Sequence, residues 1–327
     1  MSETRIGTLS LKSNVFLAPM AGVTDIHFRE AVISFGGCGL SFTELLSVEG
    51  MVRRQRRTLD MLQPAPGERP FAVQLYGSRP EAMASAAQLA VAAGAELIDI
   101  NAGCPARKIL KNQAGAFLMK APPLLERILR EVRAAIPVPL TLKFRSGFQP
   151  DSLNYLEIGR LAEACGADAV TLHPRTRVQM FSGRAEWEHI GRLKAALRIP
   201  VVGNGDIWAP ADAAAMLQQT GCDAVMVGRG ITRNPWLIRQ VDEYLRTGAC
   251  DPVPLADKIQ LCLRLCERVA ARLPSPRASG ELKKFCSWWI QGFSGAAQHR
   301  QRLYAMKEPA AIVDYLRDLS NNPGILA

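Results

Sequence analysis

Eight short runs rich in β-branched and aromatic residues recur at intervals of roughly 25–35 residues, each followed by a stretch of helical period. No other feature constrains the fold as tightly. The runs are residues 15–20, 40–46, 71–77, 97–103, 140–147, 169–175, 201–206 and 224–230. Helical stretches at 80–93, 122–135, 154–165, 185–197 and 210–219 lie between them. Eight alternating β and α units in a chain of 327 residues read as an α/β protein, a closed parallel (β/α)8 TIM barrel of about 250 residues plus a smaller module. The main rival, an open doubly wound sheet, would carry a G-x-G-x-x-G turn after its first strand. The turn here reads Pro19-Met20-Ala21-Gly22.

Beyond Thr247 the alternation stops. Asp251-Pro252-Val253-Pro254 reads as a linker, and the stretches 255–273, 279–293 and 298–319 (interrupted at Pro309) have helical character. The expected division is a catalytic barrel over residues 1–250 and an all-helical domain over 251–327. That second segment carries 11 Lys/Arg against 7 Asp/Glu, and the whole chain has a formal net charge of +10. A basic balance favours a polyanionic partner such as RNA.

Other classes recede. Glu3, Arg5 and Lys12 interrupt any apolar N-terminal run, and no stretch approaches the ~18 consecutive apolar residues of a membrane span. A cytoplasmic location is therefore expected. The eight cysteines are dispersed, with no C-x-x-C pair, and only four histidines are present. A disulfide framework and a metal site are both unexpected, and most of the thiols should be small buried hydrophobes.

Catalytic groups in such barrels come from the C-terminal ends of the strands, with ligand phosphate often held after strands seven and eight. Gln74 lies at the end of the third run, and Asn101-Ala102-Gly103-Cys104 at the end of the fourth. Lys143 and Arg145 follow on the fifth, His173 on the sixth, Asn204-Gly205-Asp206 on the seventh and Gly228-Arg229-Gly230 on the eighth. Singly, each has an ordinary structural explanation, His173 as a satisfied core histidine and Gln74 as a partner for backbone groups. Lys143 is harder to dismiss, because an unpaired lysine pointing into a barrel is costly and an anionic ligand would relieve it. Together they suit flavin mononucleotide (FMN). Its phosphate would lie at Gly205 and Gly228-Arg229, one ring edge at Gln74 and Lys143, and one ring face on Pro19, Met20 and Ala21.

At these residues the chain resembles the tRNA-dihydrouridine synthase family along nearly its whole length. The resemblance rests on Ala18-Pro19-Met20-Ala21-Gly22-Val23-Thr24-Asp25, on Asp99-Ile100-Asn101-Ala102-Gly103-Cys104-Pro105, on Val202-Gly203-Asn204-Gly205-Asp206 and on residues 225–230. Asn234-Pro235-Trp236 and Lys283-Lys284-Phe285-Cys286-Ser287-Trp288-Trp289 look most like one bacterial branch, a flavin barrel followed by a helical RNA-binding domain. The resemblance implies that Cys104 is the catalytic proton donor. It assigns Pro19, Met20, Ala21, Gln74, Lys143, Asn204, Gly205, Asp206, Gly228 and Arg229 to flavin contacts, His173 to the flavin side and Asn101 to the target base. Proline at position 174, where glycine is common, and Arg107, where lysine is frequent, depart from the family pattern.

The implied reaction is reduction of the C5–C6 double bond of uridine in tRNA, with NADPH or NADH as reductant. A uridine in folded RNA must be extruded to reach such a pocket. Arg145, the arginines Arg53, Arg54, Arg56 and Arg57, and Lys283, Lys284, Arg300 and Arg302 are candidates for gripping the RNA. Two other readings remain open on sequence alone: a flavin reductase of a free small molecule, and a non-catalytic RNA-binding module.

Overall fold

The computed structural model describes residues 4–322. Eight parallel strands close on themselves: β1 (Val15–Leu17), β2 (Leu40–Phe42), β3 (Phe71–Tyr76), β4 (Leu97–Ala102), β5 (Leu140–Gly147), β6 (Ala169–Thr176), β7 (Val201–Asn204) and β8 (Ala224–Val227). Each pairs with the next, and β8 pairs with β1 through Val225↔Val15 and Val227↔Leu17. The first, second, seventh and eighth strands are shorter than expected by two to four residues, and β6 runs one residue further, to Thr176. Ala18-Pro19 ends β1, and β2 breaks at Thr43, with Leu46–Ser47 forming a separate strand on the far end of β3. Gly230 opens the short helix Gly230–Arg233. Helices Pro80–Ala92, Pro122–Ala135 and Pro210–Thr220 each begin on proline, where the missing N–H has no helical acceptor to lose.

The strands are buried on both faces, so their sequences run apolar rather than alternating. The inward face still has two characters. Its lower layer is apolar: Phe16, Leu40, Ala72, Leu97, Ala169, Val202 and Ala224 pack with Ile6 and Leu11. Those last two belong to an N-terminal hairpin, Thr4–Ile6 antiparallel to Leu9–Leu11, which stoppers the barrel at the N-terminal ends of its strands. Two residues further along the same strands the inward face turns polar. Register aligns Gln74, Asp99 and Thr141 in one row and Asn101, Lys143 and Thr171 in the next, with Arg145 beside His173.

The chain divides into two compact units. One runs to Ile231 and includes Leu237–Cys250; the other joins Thr232–Trp236 to the chain from Asp251 onward. The second unit contains helices Leu255–Arg272, Ser275–Trp289, Ala296–Ala305 and Pro309–Asn321, around a core that includes Leu265, Leu282, Phe285, Trp289, Ile312 and Leu316. Its second helix starts earlier than the sequence suggested, directly after Pro274, and ends ahead of Gly292, which has φ +82°. No described helix is long and apolar enough to cross a membrane.

Candidate active site

At the C-terminal ends of the strands lies a cavity of about 450 Å³, within the range of small-molecule sites. It is lined by Pro19, Met20, Ala21, Asn101, Cys104, Lys143, Arg145, His173, Asn204, Gly205, Asp206, Gly228 and Arg229. Of the residues assigned in the sequence to catalysis or flavin contact, Gln74 alone is missing from this wall. It is fully buried, with its amide NH₂ donating to Asp99 Oδ2 at 2.6 Å and its carbonyl accepting from Asn101 Nδ2 at 2.9 Å.

Cys104 is held from both sides. Asn101 Oδ1 accepts from the Gly103 and Cys104 amides at 3.2 and 2.9 Å, an Asx turn that swings the chain off β4. Arg145 Nε donates to the Gly103 carbonyl at 2.8 Å, and the Ala116 amide donates to the Cys104 carbonyl at 3.0 Å. Arg145 itself is buried, and its Nη1 is spent on the carbonyls of Thr176 and Met180. Burial pushes the Cys104 thiol above its ordinary value, with the nearby Arg145 charge opposing the rise. The thiol therefore keeps its proton at neutral pH.

Lys143 reaches Asn204 Oδ1 at 2.8 Å, while Asn204 Nδ2 donates to the Met226 carbonyl. Desolvation pulls the ammonium down to about 7, against the attraction of Asp99. Asp99 is pushed up to about 6 by burial, despite accepting from Gln74 and from Thr141 Oγ1 at 2.6 Å. His173 is held well below its ordinary value by burial and by Arg145, Lys143, Arg175 and Arg229 around it, so it is a neutral imidazole.

The end of the cavity where the sequence expects a phosphate is built by β7 and β8. Gly205 has φ +126°, and a Cβ there would meet His173 at 3.2 Å and Ala185 at 3.1 Å, so glycine is required. At Gly228 a Cβ would come no closer than 3.8 Å to anything, which leaves its backbone open to the cavity. Asp206 is committed: Arg175 binds both its oxygens at 2.8 Å, and Arg229 lies 3.8 Å away. Burial alone would raise Asp206, but the Arg175 hydrogen bonds hold it below the usual carboxylate value. Arg229 also stacks on Phe181 (4.4 Å to the ring centroid) and Trp208 (5.3 Å), both partly exposed at the mouth. The wall thus presents Lys143 and Arg229, with the charge of Arg145 beside them and one carboxylate already paired, a set that fits an anionic ligand such as a phosphorylated flavin.

Three residues of this arrangement were not singled out in the sequence: Asp99 and Thr141, which orient Gln74, and Arg175, which fixes Asp206. Their inward strand positions, two residues from the named groups, were the available signal. Lys283 and Lys284 lie in the other unit, both half-buried. Lys284 is ion-paired with Glu281 and sits over Phe285 and Trp288. Arg53, Arg54, Arg56 and Arg57 are all exposed. They do not share a helix face, because Arg53 caps Val48–Val52 and Arg54 has φ +50° before Arg56–Leu59 begins.

Residues 16–322 match the family model described as dihydrouridine synthase (Dus). The chain is 39% identical over 322 residues to tRNA-dihydrouridine synthase B of Escherichia coli (strain K12), spanning 97% of this chain and 99% of that protein. It is 38% identical over 306 residues to the protein of the same name from Pasteurella multocida (strain Pm70), spanning 93% and 92%. Among solved structures, histamine dehydrogenase from Rhizobium sp. 4-9 superposes with a TM-score of 0.55 at 15% identity, over 81% of this chain and 50% of that one. That likeness concerns the barrel fold alone. On the family match and the full-length relatives, the chain belongs to the dihydrouridine synthase family.

Proposed function

We propose that this protein reduces uridines of tRNA to 5,6-dihydrouridine with FMN bound in the barrel mouth and NADPH or NADH as the electron source. The observation that carries the reading is the Cys104 thiol, protonated and clamped at the edge of a cation-walled cavity. In this reading Lys143 and Arg229, with the glycine turn at Gly205 and the open backbone at Gly228, hold the anionic cofactor, and Pro19, Met20 and Ala21 support it. The chemistry that bound flavin supplies is hydride delivery to C6 of the uracil ring.

Addition at C6 leaves enolate-like charge on C5 and the C4 carbonyl, which must be quenched by a proton. Cys104 gives its proton to C5, and the thiolate left behind is stabilised by the charge of Arg145. The double bond is lost, one hydrogen arriving as hydride and one as proton. Solvent then restores the thiol. Asn101 holds the turn that aims Cys104 and presents its remaining polar edge to the base. Gln74 acts from behind, fixing Asn101. RNA is gripped electrostatically by the exposed arginines after β2 and by the helical unit, through Lys283 and its basic neighbours.

The test is turnover of purified protein with NADPH and unmodified tRNA transcripts, dihydrouridine being read by mass spectrometry and the released cofactor identified by chromatography. FMN released in about one equivalent per chain and RNA-dependent dihydrouridine formation are expected. Reduction of free uracil or enones as fast as tRNA, or protein that cannot be loaded with FMN, would defeat the reading.

A further inference from the structure

Three thiols converge in the core of the helical unit. Cys262 and Cys266 lie one turn apart on Leu255–Arg272 and therefore share a face. Cys286 comes from the neighbouring helix Ser275–Trp289. All three are buried to 0% exposure, and their Sγ atoms lie within 4.8 Å of one another. We propose that Cys262, Cys266 and Cys286 form a trigonal three-sulfur site for a soft monovalent ion, Cu(I). The expectation of scattered inert thiols is thereby revised: the trio is separated by 4 and 20 positions, a spacing that only the packing of two helices converts into a cluster.

The other buried cysteines show what an inert thiol looks like. Cys165 and Cys222 each sit apart from any second cysteine, one packed at a helix end and one beside β7. The trio differs in number and in direction, since three sulfurs from two helices point at one spot. A metal–sulfur bond of about 2.3 Å sets trigonal sulfurs about 4 Å apart, and the three Sγ atoms already lie within 4.8 Å of one another.

Coordination number selects the ion. Among the described residues no histidine, carboxylate or further cysteine joins the group, and burial keeps water out as a fourth ligand. Zinc prefers four ligands in tetrahedral array. An iron–sulfur cluster would need room between its cysteines for iron and sulfide, which sulfurs this close do not leave. Soft sulfur ligands suit Cu(I), for which three sulfurs are a complete shell, and one thiolate with two neutral thiols around a monovalent ion leaves no net charge in the apolar core. Each thiol that ligates as thiolate releases its proton to solvent, and no electrons are exchanged.

The experiment titrates reduced, full-length, flavin-loaded protein anaerobically with Cu(I) held by a chromophoric chelator. One equivalent should be withdrawn from the chelator, and this should persist in Cys38→Ala, Cys104→Ala and Cys250→Ala, which remove the half-buried thiols. Cys262→Ala, Cys266→Ala and Cys286→Ala should each weaken it at least about tenfold, with folding checked by far-UV circular dichroism. X-ray absorption on the wild-type protein supplies a readout independent of variants, and three sulfur scatterers in one shell are expected. Withdrawal of no equivalent, an affinity unchanged by all three substitutions, or a shell of two sulfurs would each overturn the proposal. So would tight zinc binding with Cu(I) left on its chelator.

Discussion

Replacing Lys143 with methionine should make the flavin-free protein more stable while depriving it of cofactor. Lys143 titrates near 7 in the folded protein rather than at its ordinary 10.5, because burial disfavours the ammonium. Carried as a full shift, that is about 5 kcal/mol of unfavourable charge at neutral pH. The ammonium faces a cavity that admits water, so roughly half survives screening. Against this, Asn204 Oδ1 loses the donor it has at 2.8 Å, at a cost of about 1 kcal/mol. The net expectation is a gain of about 1–2 kcal/mol for Lys143→Met. The sign with pH follows from a depressed folded value. Between about 7 and 10.5 the unfolded chain binds more protons than the folded one, so wild-type stability rises with pH in that window. The advantage of the variant is therefore greatest at or below pH 7 and shrinks toward pH 10.5. Urea unfolding of flavin-free wild type and variant at both ends of the window measures it, and absorbance of the purified proteins measures flavin retention. A variant less stable than wild type at neutral pH, or an advantage independent of pH, would refute the argument.

Cys104→Ala should keep its flavin and its reduction by NADPH but lose uridine reduction by on the order of 10²-fold or more; wild-type turnover rates at neutral pH would remove Cys104 from the mechanism. In wild type, FMN affinity should weaken as pH rises through about 7; Asp99→Asn removes the charge that holds Lys143 up, so the weakening should begin at lower pH. Fluorescence titrations giving the same pH profile for both proteins would show that Asp99 does not act through Lys143. Deleting residues 251–327 should leave a flavin-loaded barrel that acts poorly on tRNA, and Lys283→Glu should lower both tRNA affinity and its dependence on salt. Full tRNA turnover by the truncated barrel would move the RNA grip to Arg53, Arg54, Arg56 and Arg57.

The periodic part of this fold was legible because each barrel strand is a short apolar run between helices, and all eight lie within the segments marked in the sequence except that β6 runs one residue further, to Thr176. Their ends were less so. β1 and β8 stop three residues early because Ala18-Pro19 and Gly228 to Gly230 leave the ladder to form the mouth, a tertiary demand that propensity does not record. The N-terminal hairpin has strands of only three residues, below the length at which alternation becomes a signal. Strand-end logic located the cavity wall, since a barrel dictates where strands finish. It could not show that Gln74 faces Asn101 rather than the cavity, because depth along the barrel axis is set by strand stagger, and stagger appears only when the ladder is paired.

The hairpin that packs Ile6 and Leu11 into the lower layer has a kinetic consequence. The lower layer is filled by side chains, so the described barrel receives ligands at the C-terminal ends of its strands, where a cavity of about 450 Å³ opens. On the proposed reading, with FMN on the cavity floor, a nicotinamide ring and an extruded uracil would need the same remaining space above it and would take turns there. Double-reciprocal plots for reductant and RNA should then run parallel. Excess tRNA should also slow its own modification by standing in that space before the next reductant arrives.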